Sequence, residues 1–179
     1  MRAKTRRDQT RELTVCLADA PLGGIILTFT SKGLTALEFA EGPGEMDLGP
    51  SDSGDPVIGR VVRELYGFFA GTPTDFRNLP LDLQGTPFQL RVWQELRRIP
   101  WGGTISYREL ARRAGSPKAF RAVGQANALN PIPIIIPCHR VIAADGGLGG
   151  FSSGLARKRW LLEHEGAGPR AQTPGPKGQ

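Results

Sequence analysis

The reactive side chains of this sequence gather at one point, where Ile132-Pro133-Ile134-Ile135-Ile136-Pro137 runs directly into Cys138-His139-Arg140-Val141. A thiol, an imidazole and a guanidinium stand in succession at the end of an apolar run, where a chain shaped by stability alone would end on turn residues. Cysteine reacts as its thiolate and a neighbouring base can generate that form, so Cys138 is a candidate nucleophile and His139 its candidate base. The same pair also fits a structural role, because cysteine is among the residue types most often buried. The prolines exclude a helix, and a buried extended segment sends adjacent side chains to opposite sides. That geometry predicts a water between Cys138 and His139 instead of direct contact. His139 then needs an acceptor for its other ring nitrogen, and Glu163 and Glu165 are both available.

The elements that position these residues follow from patterning. Thr14 to Leu17, Gly24 to Thr30 and Leu34 to Phe39 are rich in β-branched and apolar residues, with turns at Pro21-Leu22-Gly23-Gly24 and Ser31-Lys32-Gly33. They predict a small antiparallel sheet with Cys16 buried in its first strand. Residues 41–56 are Gly, Pro, Asp and Ser and read as a surface loop. Val57, Val61, Leu65 and Phe68 then repeat at helical spacing up to Gly71. The alternating Leu79, Leu81 and Leu83 predict a short strand. Further helices are expected over Phe88 to Ile99, from Tyr107 to Gly115 behind a Ser106–Glu109 capping box, and from Lys118 to Leu129 behind Ser116-Pro117. Two short helices joined at Gly115-Ser116 suggest a helix-turn-helix, although many helical hairpins carry these signals and bind no DNA. The glycines of residues 145–154 lack the pattern of a phosphate-binding loop and suit close backbone approach to a ligand. Leu155 to His164 forms a last helix, with Arg157-Lys158-Arg159 expected at its surface.

Composition narrows the function classes. The 179 residues can bury one substantial core or two small ones. No apolar run approaches the roughly 20 residues that cross a bilayer, and residues 1–7 lack an apolar signal region. A cytoplasmic protein is expected, nucleoid-associated if bacterial. Cys16, Cys138, His139 and His164 are the only cysteines and histidines and show no zinc-site spacing, so neither metal nor cofactor nor disulfide is expected. The formal charge is +6, and residues 86–165 hold twelve Lys/Arg against five Asp/Glu. That concentration of positive charge points to a polyanionic partner.

In Ile136-Pro137-Cys138-His139-Arg140-Val141, with Ile99-Pro100-Trp101-Gly102, Ser106-Tyr107, Arg121-Ala122-Val123-Gly124 and Asn130-Pro131 around it, the chain resembles the O6-alkylguanine-DNA alkyltransferases, the methylated-DNA-protein-cysteine methyltransferases. The resemblance implies a two-domain α/β (α+β) fold. A ribonuclease H-like domain with a small antiparallel sheet and a helix would span residues 13–84. A mainly helical DNA-binding domain, with the helix-turn-helix and the active-site segment, would span 85–167. Residues 1–12 would be a basic arm and 168–179 a disordered tail.

It also implies roles. Cys138 accepts the alkyl group from O6-alkylguanine, and from O4-alkylthymine, in a single irreversible turnover. His139 takes the thiol proton through a water, Glu165 holds His139, and Tyr107 donates to N3 of the departing guanine. Arg121 fills the space of the flipped nucleotide from the minor groove, while the small neighbours Ala122 and Gly124 let the helix approach DNA. The carbonyls of Cys138 and Val141 read the guanine amino group. Asn130, Pro133, Val141, Phe151 and Ser152 shape the pocket. The partner is double-stranded DNA, met by a monomer, with cooperativity along DNA left open. Phe151 replaces a frequent Tyr, Ser153 a frequent Gly and Leu129 a frequent basic residue, which leaves the range of alkyl sizes open. The alternative is a lesion-binding protein without catalysis, as in relatives that lack the acceptor cysteine.

Overall fold

The structure is a computed structural model that describes residues 20–40 and 55–167, together with the backbone of residues 13–17. The expected basic arm, the surface loop of residues 41–54, the tail and the burial of Cys16 lie outside these residues or side chains. Among the described residues the sheet consists of β1 (Leu13–Leu17), β2 (Ile25–Thr30) and β3 (Gly33–Phe39), antiparallel in the order β1-β2-β3. Ile25, Leu27 and Phe29 point inward at period two, as a half-buried strand requires. A register shift at Thr28/Phe29 bends β2 against β3. Helix α1 (Pro56–Phe69) starts at Asp55, whose carboxylate accepts from Val57 N at 2.8 Å, and buries Ile58, Val61, Val62, Leu65 and Phe68. Residues 72–85 form no strand; only Leu81 bridges to Leu34. Of the alternating leucines only Leu79 is buried, and it shares the coil with the buried Phe76.

The second half begins with α2 (Pro87–Leu96), closed by a capping box between Thr86 and Gln89. Its buried Trp93 donates from Nε1 to Ala126 O at 2.9 Å and so anchors the far end of the helix hairpin. Strand β4 (Ile105–Ser106) leads into α3 (Tyr107–Arg113). Ser106 accepts from Glu109 N at 3.2 Å, but the Glu109 carboxylate pairs with Arg112 and Arg113, so only half of the expected capping box forms. Gly115 ends the helix at φ +71°, a left-handed position that glycine adopts without strain. Helix α4 (Phe120–Ala128) begins two residues later than expected and has no side-chain cap. Ser116 instead closes a turn by accepting from Ala119 N. Strand β5 (Val141–Ile142) pairs in parallel with β4, which the sequence did not signal, and α5 (Leu155–His164) follows.

The expected extended segment is a series of turns. Prolines at 131, 133 and 137 remove the N–H groups a strand would need, so the remaining donors close local loops. Ile136 N donates to Ile132 O, Cys138 N to Ile136 O and Arg140 N to Pro137 O, while Ile134 takes a φ of +74°. Residues Cys138–Arg140 are a 3-10 turn. The opposite-side argument for Cys138 and His139 therefore loses its basis in strand geometry. The segment is still the floor of the molecule, since Ile132, Ile134, Ile135, Ile136 and Cys138 are all buried. It joins the two halves, because Leu37 N of β3 donates to Pro131 O at 2.9 Å.

Candidate active site

The site is built around Glu165, the residue that caps the end of α5. Glu165 Oε1 lies 2.8 Å from His139 Nε2 and 2.9 Å from Arg140 Nη2, and its Oε2 accepts from Arg140 Nε at 2.8 Å. Arg140 spends a further donor on Ile99 O, at 2.5 Å. All three side chains are buried. Burial opposes ionisation of Glu165, but the hydrogen bonds from His139 and Arg140 prevail and hold its pKa at about 2. Of the two carboxylates left open by the sequence, it is Glu165 that reaches His139, and Arg140 is its second, unforeseen partner.

Burial also lowers the pKa of His139, against the raising influence of Glu165, so the ring is neutral near pH 7. A carboxylate at Nε2 favours the tautomer that keeps its proton there. His139 Nδ1 is then a base, and it is a buried atom with no hydrogen-bond partner among the described residues. Cys138 is a free, buried thiol whose pKa rises to about 11, chiefly through burial and against the pull of Asn130, of the Lys158 charge and of nearby backbone groups. At neutral pH the thiol stays protonated, and it could act as a nucleophile only after losing that proton.

Three neighbours fix this backbone. Asn130 Nδ2 donates to Ile136 O at 2.7 Å while its Oδ1 accepts from Ile132 N, clamping the turn before Cys138. Asn127, also buried, directs Nδ2 at Cys138 O from 3.5 Å. Lys158, expected at the surface, is fully buried and donates from Nζ to Val141 O at 2.6 Å and to Gly150 O at 3.1 Å. Burial lowers its pKa to about 8, countered by Cys138. The signal for this was present: Lys158, Leu161, Leu162 and Glu165 fall at i, i+3, i+4 and i+7 on one helical face. The run Arg157-Lys158-Arg159 drew attention to charge instead of position. Arg157 is also half-buried, its guanidinium 4.7 Å above the Phe39 ring, whereas Leu155 is exposed.

Tyr107, at the start of α3, donates to the same Gly150 O at 3.2 Å. Burial and the Cys138 charge raise its pKa, so it remains a donor. Gly124 of α4 and Gly149 of the glycine loop both lie against its ring; a Cβ on Gly149 would come within 2.9 Å of it. Asn130, Pro133 and Ser152 line an open cleft of about 670 Å³ between β3 and the glycine loop, together with Ser153 and Arg157. Phe151 is half-buried against the core and Val141 is buried. Arg121 and Ala122 are exposed on the outer face of α4 and do not join the buried cluster.

Two descriptions cover nearly all of this architecture: the ribonuclease-like domain of 6-O-methylguanine DNA methyltransferase matches residues 14–83, and the DNA binding domain of the same family matches residues 87–167. The chain belongs to the 6-O-methylguanine DNA methyltransferase family. Similar relatives include a methylated-DNA–protein-cysteine methyltransferase of Methanosarcina barkeri, 43% identical over 83% of this chain and 94% of that one. Another, from Mycobacterium leprae, is 47% identical over 82% of this chain and 88% of its own. Among solved structures, Mycobacterium tuberculosis OGT in complex with DNA superposes with a TM-score of 0.73 at 43% identity, covering 88% of this chain and 95% of that chain. The two-domain α/β fold expected from the sequence is the fold of this methyltransferase family, and no helix among the described residues is long and apolar enough to cross a membrane.

Glu165→Gln keeps the shape of the clamp but leaves Arg140 buried without its counter-charge, and should cost about 3–5 kcal/mol near neutral pH. The folded pKa lies below the ordinary 4.5, so the contribution is complete above that value and fades as pH falls towards about 2. Urea unfolding of both proteins at about pH 7 and about pH 3 checks this. The gap should narrow in acid, and an unchanged midpoint at neutral pH contradicts the clamp.

Proposed function

We propose that this methylated-DNA–protein-cysteine methyltransferase repairs DNA by moving the alkyl group of O6-alkylguanine, or of O4-alkylthymine, irreversibly onto Cys138. The observation that carries the reading is a buried free thiol next in sequence to a neutral histidine whose Nε2 is committed to Glu165 and whose Nδ1 has no other partner among the described residues. Sγ attacks the alkyl carbon, the S–C bond forms, and the bond from that carbon to O6 breaks with its electron pair passing to the base. The thiol proton passes through a water to His139 Nδ1. Tyr107 gives a proton to N3 of the departing guanine and regains one from solvent, so that no free purine anion is released. Val141 O and Cys138 O accept from the guanine amino group, and Lys158 and Asn127 keep those carbonyls in position. Asn130, Pro133, Phe151 and Ser152 enclose the base and its substituent. The thioether is stable, so each molecule acts once.

A stacked base cannot reach a buried thiol, and flipping it costs a few kcal/mol. Arg121, exposed on α4 with the small Ala122 after it, enters from the minor groove and takes the vacated place. Ala122 and Gly124 allow the helix to lie close to the backbone. The natural division of labour puts this DNA face and the thiol in residues 85–167, with residues 13–84 as the supporting domain.

Incubation with a duplex containing O6-methylguanine should add one methyl group to the peptide bearing Cys138, read by mass spectrometry. Lesion binding with an unmodified Cys138 would make the protein a binder without catalysis. For Arg121→Ala, the ratio of the rate on duplex DNA to the rate on free O6-benzylguanine should fall at least about tenfold, in keeping with an unstacking cost of a few kcal/mol. Equal losses on both substrates would refute the base-displacing role.

A further inference from the structure

Helix α4 buries Val123, Ala126 and Asn127 and presents Arg121, Ala122, Gln125, Ala128 and Leu129 outward. At its first residue stands Phe120, 47% exposed although aromatic, directly before Arg121. The Arg121 guanidinium lies 6.0 Å from the centre of the Phe120 ring, within the range of a cation–π contact. Residues four apart share one side of a helix, so Phe120 lies on the side of Gly124. That side faces Tyr107, because a Cβ on Gly124 would be 3.8 Å from its ring. Phe120 therefore occupies the edge between the outer face of α4 and Tyr107, where its ring stays exposed to solvent.

We propose that Phe120 is an apolar wedge of the DNA interface, which stacks on the base flanking the lesion and holds open the step that Arg121 enters. Minor-groove proteins repeatedly insert apolar side chains beside such steps, and an aromatic ring stacks on any base, so the contact adds hold without sequence preference. The occupant is duplex DNA rather than a protein partner, because the patch is continuous with Arg121 and lies within the matched DNA binding domain, residues 87–167. The wedge rests on the reading above that Arg121 enters the duplex.

Two variants test it. Phe120→Ala should lower the rate on lesion-containing duplex about tenfold relative to the rate on free O6-benzylguanine, the worth of one base–aromatic stack. Phe120→Trp should preserve repair, and its added indole emission, taken as the difference from the parent with its own three tryptophans, should be quenched when lesion duplex binds. An unchanged rate ratio, or added emission that DNA leaves unaltered, overturns the wedge. Methylation of Cys138 in the parent protein is measured alongside. If it proceeds while the Phe120 variants behave as the parent, the wedge alone fails; if it does not occur, the repair reading fails.

Discussion

The ion pair between Glu165 and Arg140 is the interaction on which the rest of the site depends. It fixes one carboxylate, and that carboxylate fixes His139 by the remaining lone pairs. Burying a cation and an anion together is weak as a source of stability, because desolvation consumes most of the attraction. A leucine and a methionine of similar volume would fill the space at less cost. What the pair supplies is orientation. A buried histidine without it would keep neither its tautomer nor its angle. Gly102, with φ +69°, lets the chain after Trp101 pass so close that a Cβ there would stand 2.9 Å from Glu165 O.

The same helix carries a second buried charge. Lys158 and Glu165 are seven residues apart on one face of α5, about 10 Å along the axis. One end of that face holds the carbonyls of Val141 and Gly150, the other holds the imidazole. The helix thus sets a cation under the Val141 and Gly150 carbonyls and leads to an anion against the imidazole. His164 secures it from outside, stacked on Trp160 at 4.5 Å and bonded to Phe68 O of α1 at 2.6 Å. Through this contact, and through Leu37 against Pro131, the sheet domain braces a site whose Glu165, His139 and Arg140 cluster has no side-chain hydrogen bond to that domain among the described residues.

How much of this could be read from the sequence depended on whether a feature was local. The strands β2 and β3, α1, α2, α3 and α5 follow from period and caps, because each residue's burial is set by its own element. Glu165 was within reach as one of two carboxylates, and its choice over Glu163 rested on resemblance. The segment before Cys138 was misread because an apolar run suggests a strand, while three prolines deny it the donors of a ladder. Lys158 was misread because a basic triplet looks solvated, although its helical phase placed it with Leu161 and Leu162. The parallel pair β4 and β5 could not be seen at all: two residues on each side carry no periodicity, and their pairing is decided by the packing of α3 and the Cys138 turn.

The central claim is that burial keeps His139 neutral while Glu165 holds its proton on Nε2, leaving a lone pair on Nδ1. Nitrogen-15 NMR of the imidazoles reports this directly, and with only two histidines in the chain a His164→Gln variant assigns the signals. Near neutral pH, His139 should show a protonated Nε2 and an unprotonated, pyridine-type Nδ1. A proton on Nδ1, whether in the other tautomer or in an imidazolium, would contradict the account.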